Sequence, residues 1–314
     1  MEKRAIRPED AVIVYFISLG IYQVIGFILS AVFKTQNNVY IFLAYAIPQI
    51  VYITVTFLYF YIAKVSFNPL PEKSRIKPMH YPFAIVVALG LFFFALLPVT
   101  GVQILFALLG KTPSVLVPDL SKPVSCVFAA VIMCLLPAVG EELVFRKVFC
   151  DAFLSYGKVA AILLSGVIFG LGHLSLAQTV HQIFLGWILA FIYVKTKNVT
   201  LTAVIHFINN FLALFLPRFT GEEIWNNYTV LGICCAVGAV VLAGGIIYFI
   251  FKTPRLRKKT ASSSDAVITA IYTEEGKIEL TTDEEEPERQ KPSIFVIAFF
   301  VILTGLWILS AVLS

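Results

Sequence analysis

Six side chains in one stretch of an otherwise apolar sequence can do chemistry: Glu141, Glu142, Arg146, His173, His206 and Asn210. A carboxylate can take a proton from water, an imidazole can carry a proton or donate a hydrogen bond, and an amide N–H can hold an oxyanion. Glu142 and Arg146 stand at i and i+4 with the acid first, the better orientation for a helical acid–base pair, so each neutralises the other. Glu141 points about 100° away around a helix, and its own i+4 neighbour is Phe145. One carboxylate is therefore committed to the helix and the other is left free. Both are costly where they stand, at the end of the apolar run Val124 to Gly140, because a carboxylate in hydrocarbon costs roughly 2.5 to 3.5 kcal/mol by insertion scales.

His173 follows Phe169 by one helical turn, in a segment where Gly166 and Gly170 make a small-xxx-small face that admits a second helix. His206 and Asn210 repeat the i, i+4 spacing, so imidazole and amide leave one face together. That pair can bind a developing oxyanion, position a substrate carbonyl, contribute metal ligands, or serve as interhelical hydrogen-bond glue. If the helices holding Glu141 and His173 form a hairpin turning near Tyr156-Gly157, the two residues lie about 16 residues either side of the turn and meet at one height. His206 follows its own turn near Lys197 by only nine residues, so it joins them only if the first hairpin extends further. His80, in a loop, and His181, at the outer end of a helix, stay outside this pattern.

The elements that position these groups are membrane helices. The chain has 314 residues, 59% of them hydrophobic, 14% charged and 28 of them Phe, with a mean hydropathy of +0.88, far from a soluble domain. Nine apolar runs are candidate spans: 11–33, 39–63, 82–109, 124–145, 158–175, 179–195, 199–217, 229–251 and 293–313. The expected fold is an all-α polytopic bundle with the site in helices four to seven. It divides into an eight-helix membrane domain (1–251), a charged linker (252–292) and an additional C-terminal helix (293–314). Twenty of the 24 Lys and Arg fall on alternate connections that include the N-terminus and residues 252–292, which the positive-inside rule assigns to the cytoplasm. The net charge of +5 is thus topological, and no nucleic-acid partner follows from it. The first run is too long for a signal-peptide core and reads as a retained helix. All five cysteines lie in or beside apolar runs without metal-type spacing and read as packing residues. Within the linker, 267–272 and 278–282 can pair as a hairpin, but a disordered segment is favoured because a lone hairpin is marginal in water.

Glu141-Glu142-x-x-x-Arg146, Phe169-x-x-x-His173 and His206-x-x-x-Asn210, in that order on successive membrane helices, resemble the CPBP family. It comprises the type II CAAX prenyl endopeptidases and bacterial proteins linked to bacteriocin processing and self-immunity. The resemblance covers about residues 124–217. It implies an intramembrane endopeptidase in which Glu141 and His173 activate water and His206 and Asn210 stabilise the oxyanion, with Glu142 and Arg146 completing the candidate catalytic set. It leaves open a metal-assisted variant in which Glu141, His173 and His206 hold one divalent ion, although the sequence has no HExxH signature. No organic cofactor is implied. The expected partners are the bilayer and a membrane-embedded or lipid-anchored protein or peptide substrate. The competing classes are an ion- or proton-coupled transporter and a non-catalytic immunity or binding protein.

Overall fold

An apolar run in hydrocarbon can satisfy its backbone N–H and C=O groups internally only as a helix, and the nine runs all do so. The computed structural model describes residues 4–66, 76–111, 116–225, 227–253, 269–272, 278–281 and 290–313. Among the described residues the nine long helices are α1 (Pro8–Val32), α2 (Asn38–Ile62), α3 (His80–Leu108), α4 (Pro123–Tyr156), α5 (Lys158–Leu171), α6 (Leu176–Thr196), α7 (Val199–Thr220), α8 (Tyr228–Lys252) and α9 (Ile294–Leu313). A single turn, Glu222–Trp225, links α7 to α8. Helix starts carry the expected chemistry: Pro8 and Pro123 open α1 and α4, and the side chains of Asn37, Asn198 and Asn227 accept backbone N–H groups at the starts of α2, α7 and α8.

Eight helices are long and apolar enough to cross a membrane. The exception is α5, whose 14 residues extend about 21 Å at 1.5 Å per residue, short of the roughly 30 Å hydrocarbon core. The fifth run therefore stops before its expected end at 175. Gly172 to Ser175 form a turn, with Leu174 in the left-handed region at φ 47°, and this turn carries His173. Helix α4, in contrast, continues beyond 145 to Tyr156, and it contains two π-helical stretches, Ala130–Leu135 and Leu143–Cys150, that flank Glu141 and Glu142.

Contacts at the helix ends sort the connections into two sides. Arg4 N–H donates to Lys64 O, Gln290 N–H to Ser155 O, and Ser293 Oγ to Glu9 at 2.6 Å, which gathers the N-terminus and the α2, α4 and α9 ends together. At the other side, Asn38 exchanges two hydrogen bonds with the Asp119 backbone and Tyr45 donates to Leu116 O. This is the alternation expected from the span order.

Helices α5 and α6 pack backbone against backbone. A Cβ added at Gly186 would lie 2.8 Å from the Gly166 Cα, and one added at Gly170 would lie 2.8 Å from Thr179 O, so the small face is used as the spacing implies. Helix α9 packs on α1 and α4 through Phe299, whose ring meets Tyr15, Phe16 and Phe149 at 5.7, 5.3 and 5.9 Å. Where the sequence favours an unstructured linker, two short strands, β1 (Thr269–Tyr272) and β2 (Ile278–Thr281), pair antiparallel with Thr269 opposite Thr281. Each strand supplies the cross-strand backbone partners that neither has alone. The basic run at 255–259 and the acidic run at 283–286 lie outside the described residues.

Candidate active site

Glu142 and Arg146 form the expected pair, and both are fully buried. Arg146 Nε donates to Glu142 Oε2 at 2.9 Å and Nη2 to Oε1 at 3.2 Å. The guanidinium is completed from α5, where Ser165 Oγ accepts from Nη1 at 3.2 Å while donating to Phe145 O at 2.8 Å. Its carbon also lies 5.3 Å from the centre of the Phe169 ring. A buried charge pair is tolerable only when its remaining donors are met, and here they are.

His206 of α7 reaches both carboxylates. Its Nδ1 lies 3.2 Å from Glu142 Oε1 and its Nε2 lies 3.7 Å from Glu141 Oε2. A carboxylate can only accept, so Nδ1 carries the proton, and the ring is oriented with Nε2 towards Glu141. The height condition is met along the chain. Lys197 Nζ pairs with Asp151 at 3.0 Å, nine residues separate Asp151 from Glu142, and nine separate Lys197 from His206, so α4 and α7 run in step. Helix α4 then continues past Asp151 to the Gly157 turn, which is the longer first hairpin that the sequence required.

Glu141 has quite different surroundings. Its Oε1 accepts from Gln49 Nε2 of α2 at 2.7 Å, and its side chain is 12% exposed where that of Glu142 is 0%. The direct facing of Glu141 and His173 is not formed: among the described residues His173 makes no hydrogen bond or ion pair to either carboxylate. Its Nδ1–H instead donates to Phe169 O at 2.8 Å, a carbonyl that the end of α5 leaves free for it. That bond places the neutral ring's lone pair on Nε2. Phe169 bridges the two histidines, with ring distances of 5.2 Å to His173 and 5.6 Å to His206. Asn210 follows His206 by one turn on α7, half-buried, and its amide has no partner among the described residues.

Three contributors escape a search for ionisable motifs. Gln49 is the sole amide in the 39–63 run, and that isolation was its signal. Gly140 makes room for it, since a Cβ there would lie 2.8 Å from Gln49 Oε1. Ser165 reads as one more small residue and gives no sign of its bond to Arg146. The metal alternative finds no ready ligand set: among the described residues no group of three or more His, Cys, Asp or Glu side chains is placed to hold an ion. As arranged, Glu141, His173 and His206 do not form such a group.

A partly exposed carboxylate, two imidazoles and an amide without a partner among the described residues are thus gathered within the helices. Residues 123–212 match the family model for type II CAAX prenyl endopeptidases, Rce1-like. Over this segment the chain is similar to that family. The matched segment holds α4 to the middle of α7, and with it all six candidate residues, while α1 to α3, α8 and α9 lie outside. No curated protein and no solved structure matches the chain. Together with eight helices, among the described residues, that are long and apolar enough to cross a membrane, this similarity fits an integral, multi-pass membrane protein.

Proposed function

We propose that the chain is an intramembrane endopeptidase that hydrolyses peptide bonds by Glu141-activated water, with lipid-anchored CAAX-type proteins as its substrate class. The observation that carries this reading is the contrast at the Glu pair. Glu142 is saturated by Arg146 and His206, whereas Glu141 is tethered by one amide and keeps an exposed edge. Gln49 holds the carboxylate while its own Oε1 is buried without a partner, an acceptor available to the same water.

In this mechanism Glu141 takes a proton from water that His173 Nε2 helps to orient, and the water oxygen bonds to the scissile carbonyl carbon. Negative charge on the carbonyl oxygen is met by the Asn210 amide and by His206 when its ring carries both protons, Nδ1–H held by Glu142 and Nε2–H donating to the oxyanion. The C–N bond then breaks, and Glu141 returns its proton to the leaving nitrogen. Donors of this kind contribute about 3 to 4 kcal/mol of barrier lowering in hydrolases. The excess of Lys and Arg on the N-terminal side supports a cytoplasmic orientation for that side, where lipidated tails would enter. The test is cleavage of a farnesylated CAAX peptide by the purified chain in lipid nanodiscs, with metal analysis of the same sample. Turnover that Glu141→Gln abolishes supports the reading, and turnover that survives it refutes the base assignment. Loss of activity on chelation, restored by one metal, would replace the water-only route.

A further inference from the structure

Helix α9 lies outside the matched family segment, yet it reaches the turn that carries His173. Ser310 Oγ donates to Leu174 O, and Trp307 Nε1 donates to Thr179 Oγ1 at 2.7 Å. Thr179 Oγ1 in turn donates to Ser175 O at 2.7 Å, so both bonds from α9 end on Gly172 to Ser175 or on the first turn of α6. The turn needs such support. Because α5 stops after 14 residues, its last backbone carbonyls lose their intrahelical partners and must find others. Phe169 O is taken by His173 Nδ1, Leu171 O by Leu174 N–H, and Leu174 O by Ser310. Leu174 also holds a left-handed backbone that a branched side chain rarely adopts without being constrained. On the opposite side the Tyr15 hydroxyl packs against Gly172, where a Cβ would come within 2.6 Å. The far end of α9 is fixed by Ser293 to Glu9, so the helix spans from the cytoplasmic rim to the site.

We infer that α9 is a clamp on the catalytic turn, and that Ser310 and Trp307 are positioning residues which set the direction of His173. This rests on the reading of His173 as a water-orienting group. It predicts that an enzyme whose α9 is undocked keeps its carboxylates in place and loses the second half of its water site.

The test uses the full chain in lipid nanodiscs and reads hydrogen exchange at residues 171–176, which needs no substrate. Ser310→Ala and Trp307→Phe should each speed exchange of the turn about tenfold, the loss of one buried hydrogen bond, while exchange in α4 and α7 is unchanged. Unchanged exchange at the turn overturns the clamp, as does a uniform increase across all helices, which marks general destabilisation. In parallel, cleavage of a farnesylated CAAX peptide should show kcat reduced about tenfold with KM constant, and Ser310→Thr should restore it. Glu141→Gln is run beside them. If that variant is inactive while Ser310→Ala and Trp307→Phe match the wild type, the clamp fails and the base assignment stands. If Glu141→Gln cleaves normally, the base assignment fails and the exchange result alone decides the clamp.

Discussion

Asp10 and Glu141 are both carboxylates buried in membrane helices, and they are treated in opposite ways. Asp10 accepts from Arg4 Nη1 and Nη2 at 2.6 and 2.7 Å, from the Arg7 N–H at 2.8 Å and from the Tyr59 hydroxyl at 2.7 Å, with its side chain 1% exposed. Each oxygen is occupied, and the group ties the N-terminal segment to the ends of α1 and α2. Asp151 follows the same pattern with Tyr193, Lys197 and Lys147. Glu141 has one short hydrogen bond, a histidine at 3.7 Å and an accessible edge. A saturated carboxylate is held by its partners and has no lone pair to offer. An under-saturated one keeps an acceptor to offer a ligand, which in the proposed mechanism is water. Glu142 shows the same logic one residue away, since its saturation by Arg146 and His206 makes it an orienting group.

This contrast can be broken by substitution. The largest stability effect belongs to the saturated pair. Arg146→Leu leaves Glu142 buried without its cation and should destabilise the fold by about 3 to 5 kcal/mol, measured by unfolding in mixed micelles. A loss below 1 kcal/mol would mean that Glu142 is not held as described. Asp10→Asn should cost about 1 to 3 kcal/mol, because charge-assisted bonds to Arg4 are weakened, yet leave kcat of the folded fraction within twofold of wild type. Gln49→Leu should have the smallest effect on folding, under about 1 kcal/mol, but lower kcat about tenfold by freeing Glu141 to rotate. If Asp10→Asn and Gln49→Leu changed places in these two assays, the division between structural and chemical carboxylates would be wrong.

The bundle was legible because hydrocarbon leaves few choices: runs of about twenty apolar residues announce themselves, and the Glu142–Arg146 spacing implies its own pairing. The halt of α5 was less visible, since Gly172, His173 and Ser175 interrupt the apolar run by too little to shift a window average. The partners of Glu141 were hidden for another reason. Gln49 lies 92 residues earlier on α2, and His206 had been assigned by its i+4 relation to Asn210. Sequence spacing reports neighbours on one helix, whereas this site is made across α2, α4, α5 and α7. The role of α9 was likewise hidden, because Ser310 and Trp307 sit in an ordinary apolar span and acquire meaning only from the carbonyl that the short α5 exposes.

In the proposed mechanism Glu141 does the chemistry, while Asp10, Glu142 and Asp151 hold the fold. Single-turnover cleavage of a farnesylated CAAX peptide by Glu141→Gln, compared with Asp10→Asn at equal folded fraction, tests it most directly. The account predicts a rate reduced by about 10²- to 10⁴-fold for Glu141→Gln with an unchanged unfolding midpoint, and a near wild-type rate for Asp10→Asn. A Glu141→Gln enzyme within twofold of wild type would contradict it.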